Sequence, residues 1–379
     1  MEILVQHTYL IAGGIEKSLL NFLGHMCDDA NIDLFLFNKV GALQNDIPKA
    51  VNVIQANKFM RKRVGDVQTS VATVHSKKSV KHLLKKVLKC FGVNKVYEWW
   101  ILNSQKKLKK QYDVSVCFGG FVDGCEFVLK KTKAKTKVVL FHSDADSVKL
   151  TAKRHKLFRR FDKILCVSES CAASFKQKYP NLASKVGVLC NMQNNDEIIN
   201  KANDFNVNYS KTFNIVSVSR LSEEKAYLRS LKIFKRLLDE GFDFVWNVVG
   251  EGNLKSELQD YVSKNNMGNN VVFWGNKSNP YPYIKSADLF FLGSYHEAAP
   301  MVYGESMILG VPVLSTKTRS AEELVGEFGF VCDNDSESIY NCLKEILTDK
   351  ELIKEKKIKL KKYSYNNDKI KNEFLKIVR

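Results

Sequence analysis

The feature that most restricts the fold of this chain is an alternation, run through twice, of short apolar segments with longer amphipathic ones. In the first half, Glu2–Val5, Ile32–Phe37, Val114–Phe118, Val138–Phe141, Ile164–Val167 and Val186–Leu189 read as strands. Helical spacing lies between several of them, as at Ile15–Met26 and Ser170–Lys178. The second half repeats the scheme, with strands expected at Phe213–Val218, Phe244–Val249, Val271–Trp274, Leu289–Leu292 and Val311–Leu314. Helices fit Lys225–Asp239, Leu254–Lys264, Met301–Leu309 and Ser336–Leu347. Strands apolar on both faces belong in parallel sheets covered by helices on both sides. The strand–helix alternation then gives α/β architecture: two doubly wound, Rossmann-like domains facing a cleft. Ligands of such domains bind at the carboxyl ends of the strands. The boundaries follow from composition. Residues 1–190 form the first domain, and the Asn- and Asp-rich stretch 191–210 is a linker. Residues 211–361 form the second domain, and 350–379 read as two Lys-rich helices.

The 379 residues suffice for two full cores, and the 45% apolar fraction is that of an ordinary globular protein. The sequence has no run of about 18 apolar residues, so no transmembrane helix is expected. Met1–Val5 lacks the basic start and long apolar run of a secretory signal. Nine cysteines, an odd number without CxxC spacing, sit mostly in apolar runs and read as reduced core residues of a cytosolic protein. The net charge of +18 is uneven: residues 1–190 hold 33 Lys and Arg against 15 Asp and Glu, and residues 191–379 hold 26 against 26. That asymmetry points to a polyanionic partner of the first domain: anionic lipid, nucleic acid or a phosphorylated acceptor. Lys77, Lys78, Lys81, Lys85, Lys86 and Lys89 interleave with Leu83, Leu84, Val87 and Leu88. Tyr97, Trp99, Trp100 and more lysines up to Lys110 follow. This stripe fits a helix lying in an anionic membrane surface, or an ordinary amphipathic helix with its apolar face in the core.

Chemistry-bearing groups gather where strands meet helices. After Leu289–Leu292 comes Gly293 through Glu305, with Glu297 in a loop and Glu305 inside a short helix. Pro300 suits the first helical position, and the free amides there favour an anion. Carboxylates beside such a helix start suit a sugar-bearing phosphate ester, with carboxylates for hydroxyls and amides for phosphate. Arg220 and Lys225 flank the turn after Phe213–Val218 and could clamp a diphosphate from two sides. Gly250 and Gly252 end the next strand, where they permit close backbone approach to a ligand or form a simple turn. Gly13 and Gly14 precede the first helix, where they can admit phosphate or acceptor or simply form a turn; they are not GxGxxG, so the dinucleotide fingerprint is absent. His142 ends Val138–Phe141, where it either faces the cleft as a site residue or is a satisfied structural histidine, and Asp144 and Asp146 form a D-x-D of the kind that can hold metal, without further acidic ligands nearby.

Together, Ser219–Lys225, Val249–Gly252, Phe273-Trp274-Gly275, Asp288-Leu289, Glu297–Glu305 and Leu309–Val313 resemble the donor domain of the GT-B glycosyltransferases of the large retaining family 4. The likeness covers about residues 213–332. It is looser in the first half, at Gly13–Glu16, Phe141–Ser143, Val167–Glu169 and Leu189–Asn191. The resemblance implies GT-B architecture, with a C-terminal helix (362–379) returning to the first domain. It implies a retaining transferase using a nucleotide-diphosphate sugar, UDP-linked, as co-substrate, with no cofactor and no metal. Arg220 and Lys225 would hold the diphosphate, Glu305 the ribose, and Glu297 the transferred sugar. Gly250, Gly275 and the backbone near Ala299, Met301 and Val302 would meet donor sugar or phosphate. His142 would line the sugar from the opposite domain, and Gly13 and Gly14 would sit by donor phosphates and acceptor. The implied acceptor is a glycan, such as a polyprenyl-diphosphate oligosaccharide of capsule or exopolysaccharide assembly. The implied place is the cytoplasmic face of the plasma membrane, on an anionic surface. Two departures stand out: Ala298 and Ala299 replace the usual Gly and bulky residue, and Ala226 replaces a common Gly. A related GT-B epimerase or phosphorylase, or a basic nucleic-acid-binding protein, are the alternative readings; no nucleic-acid-binding motif supports the last.

Overall fold

A computed structural model describes residues 1–11, 13–64, 93–209 and 212–379. The lysine–leucine stripe at 77–89 lies outside the described residues. The first sheet has seven parallel strands: β1 (Glu2–His7), β2 (Asn31–Leu36), β3 (Asn52–Gln55), β4 (Gln111–Cys117), β5 (Lys133–Phe141), β6 (Lys163–Cys166) and β7 (Val186–Val188). Their spatial order is β3-β2-β1-β4-β5-β6-β7. The second sheet has six parallel strands: β8 (Phe213–Val218), β9 (Phe244–Val249), β10 (Val271–Gly275), β11 (Leu289–Leu292), β12 (Val313–Thr316) and β13 (Phe330–Cys332). They run β10-β9-β8-β11-β12-β13. Each order reverses once, between β1 and β4 and between β8 and β11. Crevices at such reversals, beyond the strands' carboxyl ends, are where doubly wound sheets bind ligands.

Helices cover both faces of each sheet because strands such as β1, β8 and β11 bury side chains on both faces. In the second domain Phe234 and Trp246 pack edge to face at 4.5 Å beneath Phe291. In the first, Phe35 stacks on Phe127 at 4.0 Å. The edge strands β3 and β13 were not among the expected strands, and β12 starts at Val313 rather than Val311 because Pro312 has no amide to pair.

The 191–210 stretch is not a plain linker. It contains a helix, Asn195–Lys201, whose first turn is capped by the Asn194 side chain accepting from the Glu197 amide. The last helix, Asn367–Val378, returns to the first domain, where Phe374 meets Phe22 edge-on at 5.1 Å. The chain therefore crosses between domains twice. The crossings are stitched together: Tyr365 donates its hydroxyl to the Asn191 carbonyl, and Asn367 both accepts from the Gln193 amide (2.9 Å) and donates to its carbonyl (2.8 Å). Among the described residues, no helix is long and apolar enough to cross a membrane.

Candidate functional site

The loops after β8 and β11 lie side by side because those strands are neighbours. They bring Lys225 and Glu297, 72 positions apart, into a direct ion pair. Both side chains are largely buried, and Glu297 also accepts from the Ser294 hydroxyl at 2.7 Å. Arg220, by contrast, stands out into solvent with 78% of its side chain exposed, 3.3 Å from Glu224. A buried lysine and an exposed arginine on one turn put two cations at the strands' carboxyl ends.

That turn is strained. The Arg220–Lys225 segment ends in a single 3-10 turn, Glu223–Lys225, rather than opening the main helix directly. Between it and the helix Tyr227–Asp239, Ala226 is held in the left-handed region at φ 53°. An L-residue there costs about 1–2 kcal/mol. Ala226→Gly is therefore expected to raise the stability of the chain by about 1 kcal/mol, read as a shift in the urea midpoint. A lower midpoint would show that the methyl group's packing outweighs the backbone strain.

The glycines after β9 let two loops of the chain itself pack closely. A Cβ on Gly250, at φ 148°, would sit 1.9 Å from the Ser219 carbonyl oxygen, and one on Gly252 would sit 2.2 Å from that of Leu221. The backbone that comes close is the Arg220 turn itself. Gly250→Ala is expected to cost about 2–3 kcal/mol by forcing the two loops apart, measured by denaturant unfolding. An unchanged midpoint would refute that packing role. Gly275 closes the set at φ 72°, its carbonyl accepting from the Gly250 amide at 2.9 Å.

Glu305 lies inside the helix Met301–Ile308. Pro300 is the residue before the helix, not its first residue, so the first turn begins with the amides of Met301 and Val302. Only 1% of the Glu305 side chain is exposed. Its Oε1 receives Lys17 Nζ from the first domain at 3.2 Å, while its buried Oε2 has no hydrogen-bond partner. Burial beside Glu305 also pushes the Tyr281 hydroxyl far above its ordinary pKa. A cavity of about 330 Å³ opens here, lined by Lys17, His25, Ser278, Tyr281 and Glu305. The Ala299 carbonyl accepts from Asn191 at 2.9 Å, and the Met301 carbonyl from Gln193 at 2.8 Å, so this loop rests on the domain crossing.

Across the cleft, His142 follows β5 with its Nε2 2.8 Å from the Phe118 carbonyl. A carbonyl only accepts, so Nε2 carries the hydrogen. Desolvation, aided by nearby His7, pushes the ring down to about 4. His142 is thus neutral at neutral pH, with Nδ1 left as an acceptor. Because its folded pKa lies below the ordinary 6.5, the unfolded chain binds the extra proton between those values. Stability is full above pH 6.5 and falls as pH drops toward 4. The expected loss over that window is on the order of 2 kcal/mol, and His142→Gln should flatten it. An equally steep pH dependence in that variant would sink the assignment.

Gly13 precedes the helix Gly14–Met26. A Cβ there would strike Glu16 Oε2 at 2.4 Å, so Gly13 serves the fold-back of Glu16, which pairs with buried His7 at 3.4 Å. A Cβ on Gly14 would meet nothing within 4 Å. Asp144 and Asp146 are occupied by a guanidinium. They receive Arg319 from the second domain, Nε to Asp144 at 3.1 Å and a terminal nitrogen to Asp146. No group of three or more metal-binding side chains occurs among the described residues. Lys17, Arg319 and Glu323 were missed in the sequence, where nothing links them to partners more than 150 positions away.

Residues 198–367 match the family described as Glycosyl transferases group 1. Over 161 residues the chain is 34% identical to an N-acetylgalactosamine-N,N'-diacetylbacillosaminyl-diphospho-undecaprenol 4-alpha-N-acetylgalactosaminyltransferase of Campylobacter jejuni, covering 41% of this chain and 43% of that protein. It is 24% identical over 172 residues to an uncharacterized glycosyltransferase of Methanocaldococcus jannaschii, covering 44% and 42%. The chain thus matches about two fifths of the length of these curated relatives. Along nearly its whole length it superposes on HepE of Anabaena in complex with UDP, with a TM-score of 0.68, 18% identity and 99% of each chain covered. A TarM mutant of S. aureus in complex with UDP and other ligands gives a TM-score of 0.70 at 11% identity, covering 100% and 99%. Those likenesses establish the two-domain fold.

Proposed function

We infer, from the match of residues 198–367 to Glycosyl transferases group 1 and from the two-domain fold shared with HepE, that the chain is a retaining glycosyltransferase using a UDP-sugar. The observation that carries the reading is Glu305: a carboxylate nearly sealed from water, one oxygen unpartnered, at the switch point of the second sheet. A ribose supplies two hydroxyl donors for it. The UDP-bound state of the HepE and TarM structures supports the nucleotide assignment.

Each site residue then has a task. Lys225 and Arg220 neutralise the diphosphate as the bond from the sugar's anomeric carbon to the β-phosphate oxygen breaks. The acceptor hydroxyl attacks from the face the diphosphate leaves, and its proton passes to the departing phosphate oxygen. Retention of configuration follows. Glu297, anchored by Lys225 and Ser294, faces the sugar, and His142 accepts a sugar hydroxyl hydrogen at Nδ1. The amides of Met301 and Val302, with the backbone at Ala299, Gly250 and Gly275, border the sugar and phosphates. Gly14, open on its side-chain face, borders the acceptor beside Gly13. With two protein cations on the leaving group, no metal is required, so chelator should leave the rate unchanged.

For the acceptor we propose a polyprenyl-diphosphate-linked glycan of cell-surface polysaccharide assembly, reached from the cytoplasmic face of an anionic membrane. Trp99 and Trp100 are 65% and 44% exposed on the helix Val93–Ser104, followed by the exposed lysines 106, 107, 109 and 110. Aromatic and cationic groups side by side suit a headgroup layer. The deciding assay supplies UDP-sugars with and without an undecaprenyl-diphosphate glycan and follows UDP release and product configuration. Acceptor-dependent UDP release with the donor's configuration kept supports the reading. Inversion would overturn the mechanism, and UDP-sugar isomerised without acceptor would favour an epimerase.

A further inference from the structure

We propose that Arg319 and Glu323 are positioning residues: they hold the domain that carries His142 in register with the domain that carries Glu297 and Lys225. The inference rests on the transferase reading but is drawn from contacts that the reading does not use.

Glu323 projects from the short helix Ala321–Val325 of the second domain onto the first turn of the helix Glu169–Lys178 in the first. Its carboxylate accepts from the Glu169 amide (2.9 Å), the Ser170 amide (2.9 Å) and the Ser170 hydroxyl. The helix's own cap, Ser168, serves the Cys171 amide, so the two amides before it are left for Glu323. A negative charge at that end is further favoured by the helix dipole. Four residues before Glu323, Arg319 forks onto Asp144 and Asp146. A guanidinium with two carboxylates fixes direction as well as distance. The aspartates are themselves braced: Ser174 donates to both (3.1 and 3.3 Å), and Lys178 lies 3.3 Å from Asp146.

The clamp grips the segment that matters. Asp144 is two residues beyond His142, and Ser147, in the same loop, lies 3.1 Å from Nδ1 of His296, the neighbour of Glu297. The loop bearing His142 is thus tied to the second domain through Arg319 and again beside Glu297. Sugar transfer needs groups from both domains at one carbon, and small misplacements there are expensive. The cations and carboxylate assigned to UDP, in contrast, all belong to the second domain. Loosening the clamp should therefore slow transfer and leave nucleotide binding alone.

The test uses the full chain with Arg319→Ala, Glu323→Gln and the pair together. Transfer kcat is expected to fall roughly ten- to a hundredfold, while the UDP dissociation constant from calorimetry stays within about twofold, since a tenfold change would need about 1.4 kcal/mol of lost contact. Small-angle X-ray scattering should give the double variant a larger radius of gyration than the parent. The exchange Arg319→Asp with Asp146→Arg should recover most of the lost kcat. Unchanged kcat and scattering, or UDP affinity falling in step with kcat, would overturn the proposal. If the parent transfers sugar to no acceptor, the transferase reading fails, and the scattering comparison alone decides whether the clamp holds the domains.

Discussion

Lys225→Ala is expected to lower kcat/KM for sugar transfer by roughly a thousandfold, the upper part of the 2–5 kcal/mol range for losing one partner of a desolvated charge pair. Lys225 is the buried cation of the site, and in the proposed complex it touches both the diphosphate and Glu297. Arg220 cannot replace it, because its exposed guanidinium gives much of its field to water. The same substitution also damages the resting protein. Glu297 would remain buried with only the Ser294 hydroxyl, at a cost of about 3 kcal/mol. Adding Glu297→Gln separates the two effects. The double variant should regain most of the stability and none of the activity. Transfer surviving in Lys225→Ala at even a tenth of the parent rate would remove the lysine from the leaving-group role.

Glu305→Gln should give the opposite pairing of effects. The amide keeps the shape but donates where ribose hydroxyls must donate, so UDP affinity should fall about ten- to a hundredfold, matching about 1.5–3 kcal/mol for a charged hydrogen bond. The folded protein should meanwhile gain. It confines a carboxylate almost wholly from water with one lysine at 3.2 Å and one oxygen unpartnered, a costly arrangement. Removing the charge should stabilise the chain by about 1 kcal/mol, or roughly 2–4 °C in Tm. Stability held in reserve at a binding site is a common trade-off. Differential scanning calorimetry with UDP titration checks both halves. A Tm that drops together with affinity would make Glu305 a structural residue instead.

How much of this was legible before the structure depends on what kind of interaction wrote it. β11 is buried on both faces and its sequence is an uninterrupted apolar run; β8, also buried, is broken only by Asn214 and Ser217. The edge strands β3 and β13 have one neighbour each, and β3, Asn-Val-Ile-Gln, carries no such run. The helix inside the 191–210 stretch did have a local signal, Asn194 with Glu197 three residues on, masked by the polar composition around it. At the site, Lys225, Glu297 and Glu305 stood out because each sits at a fixed offset from a strand end. Gly250 was ambiguous: a ligand and a neighbouring loop exclude a Cβ equally well, and sequence does not say which. The Asp144–Asp146 pair was ambiguous in the same way, since two carboxylates can receive a metal or a guanidinium. The guanidinium came from Arg319, a distance in sequence that no local pattern spans.

The double crossing of the chain between domains has a kinematic consequence. One connecting strand would act as a swivel, free to bend and twist about a point. Two connections bonded to each other at Asn191, Gln193, Tyr365 and Asn367 define a line. Relative motion of the domains is thereby reduced to rotation about that line, like a door on two pins. A single angle then carries His142 toward or away from Glu297, and opening along it must part the contacts of Arg319 and Glu323.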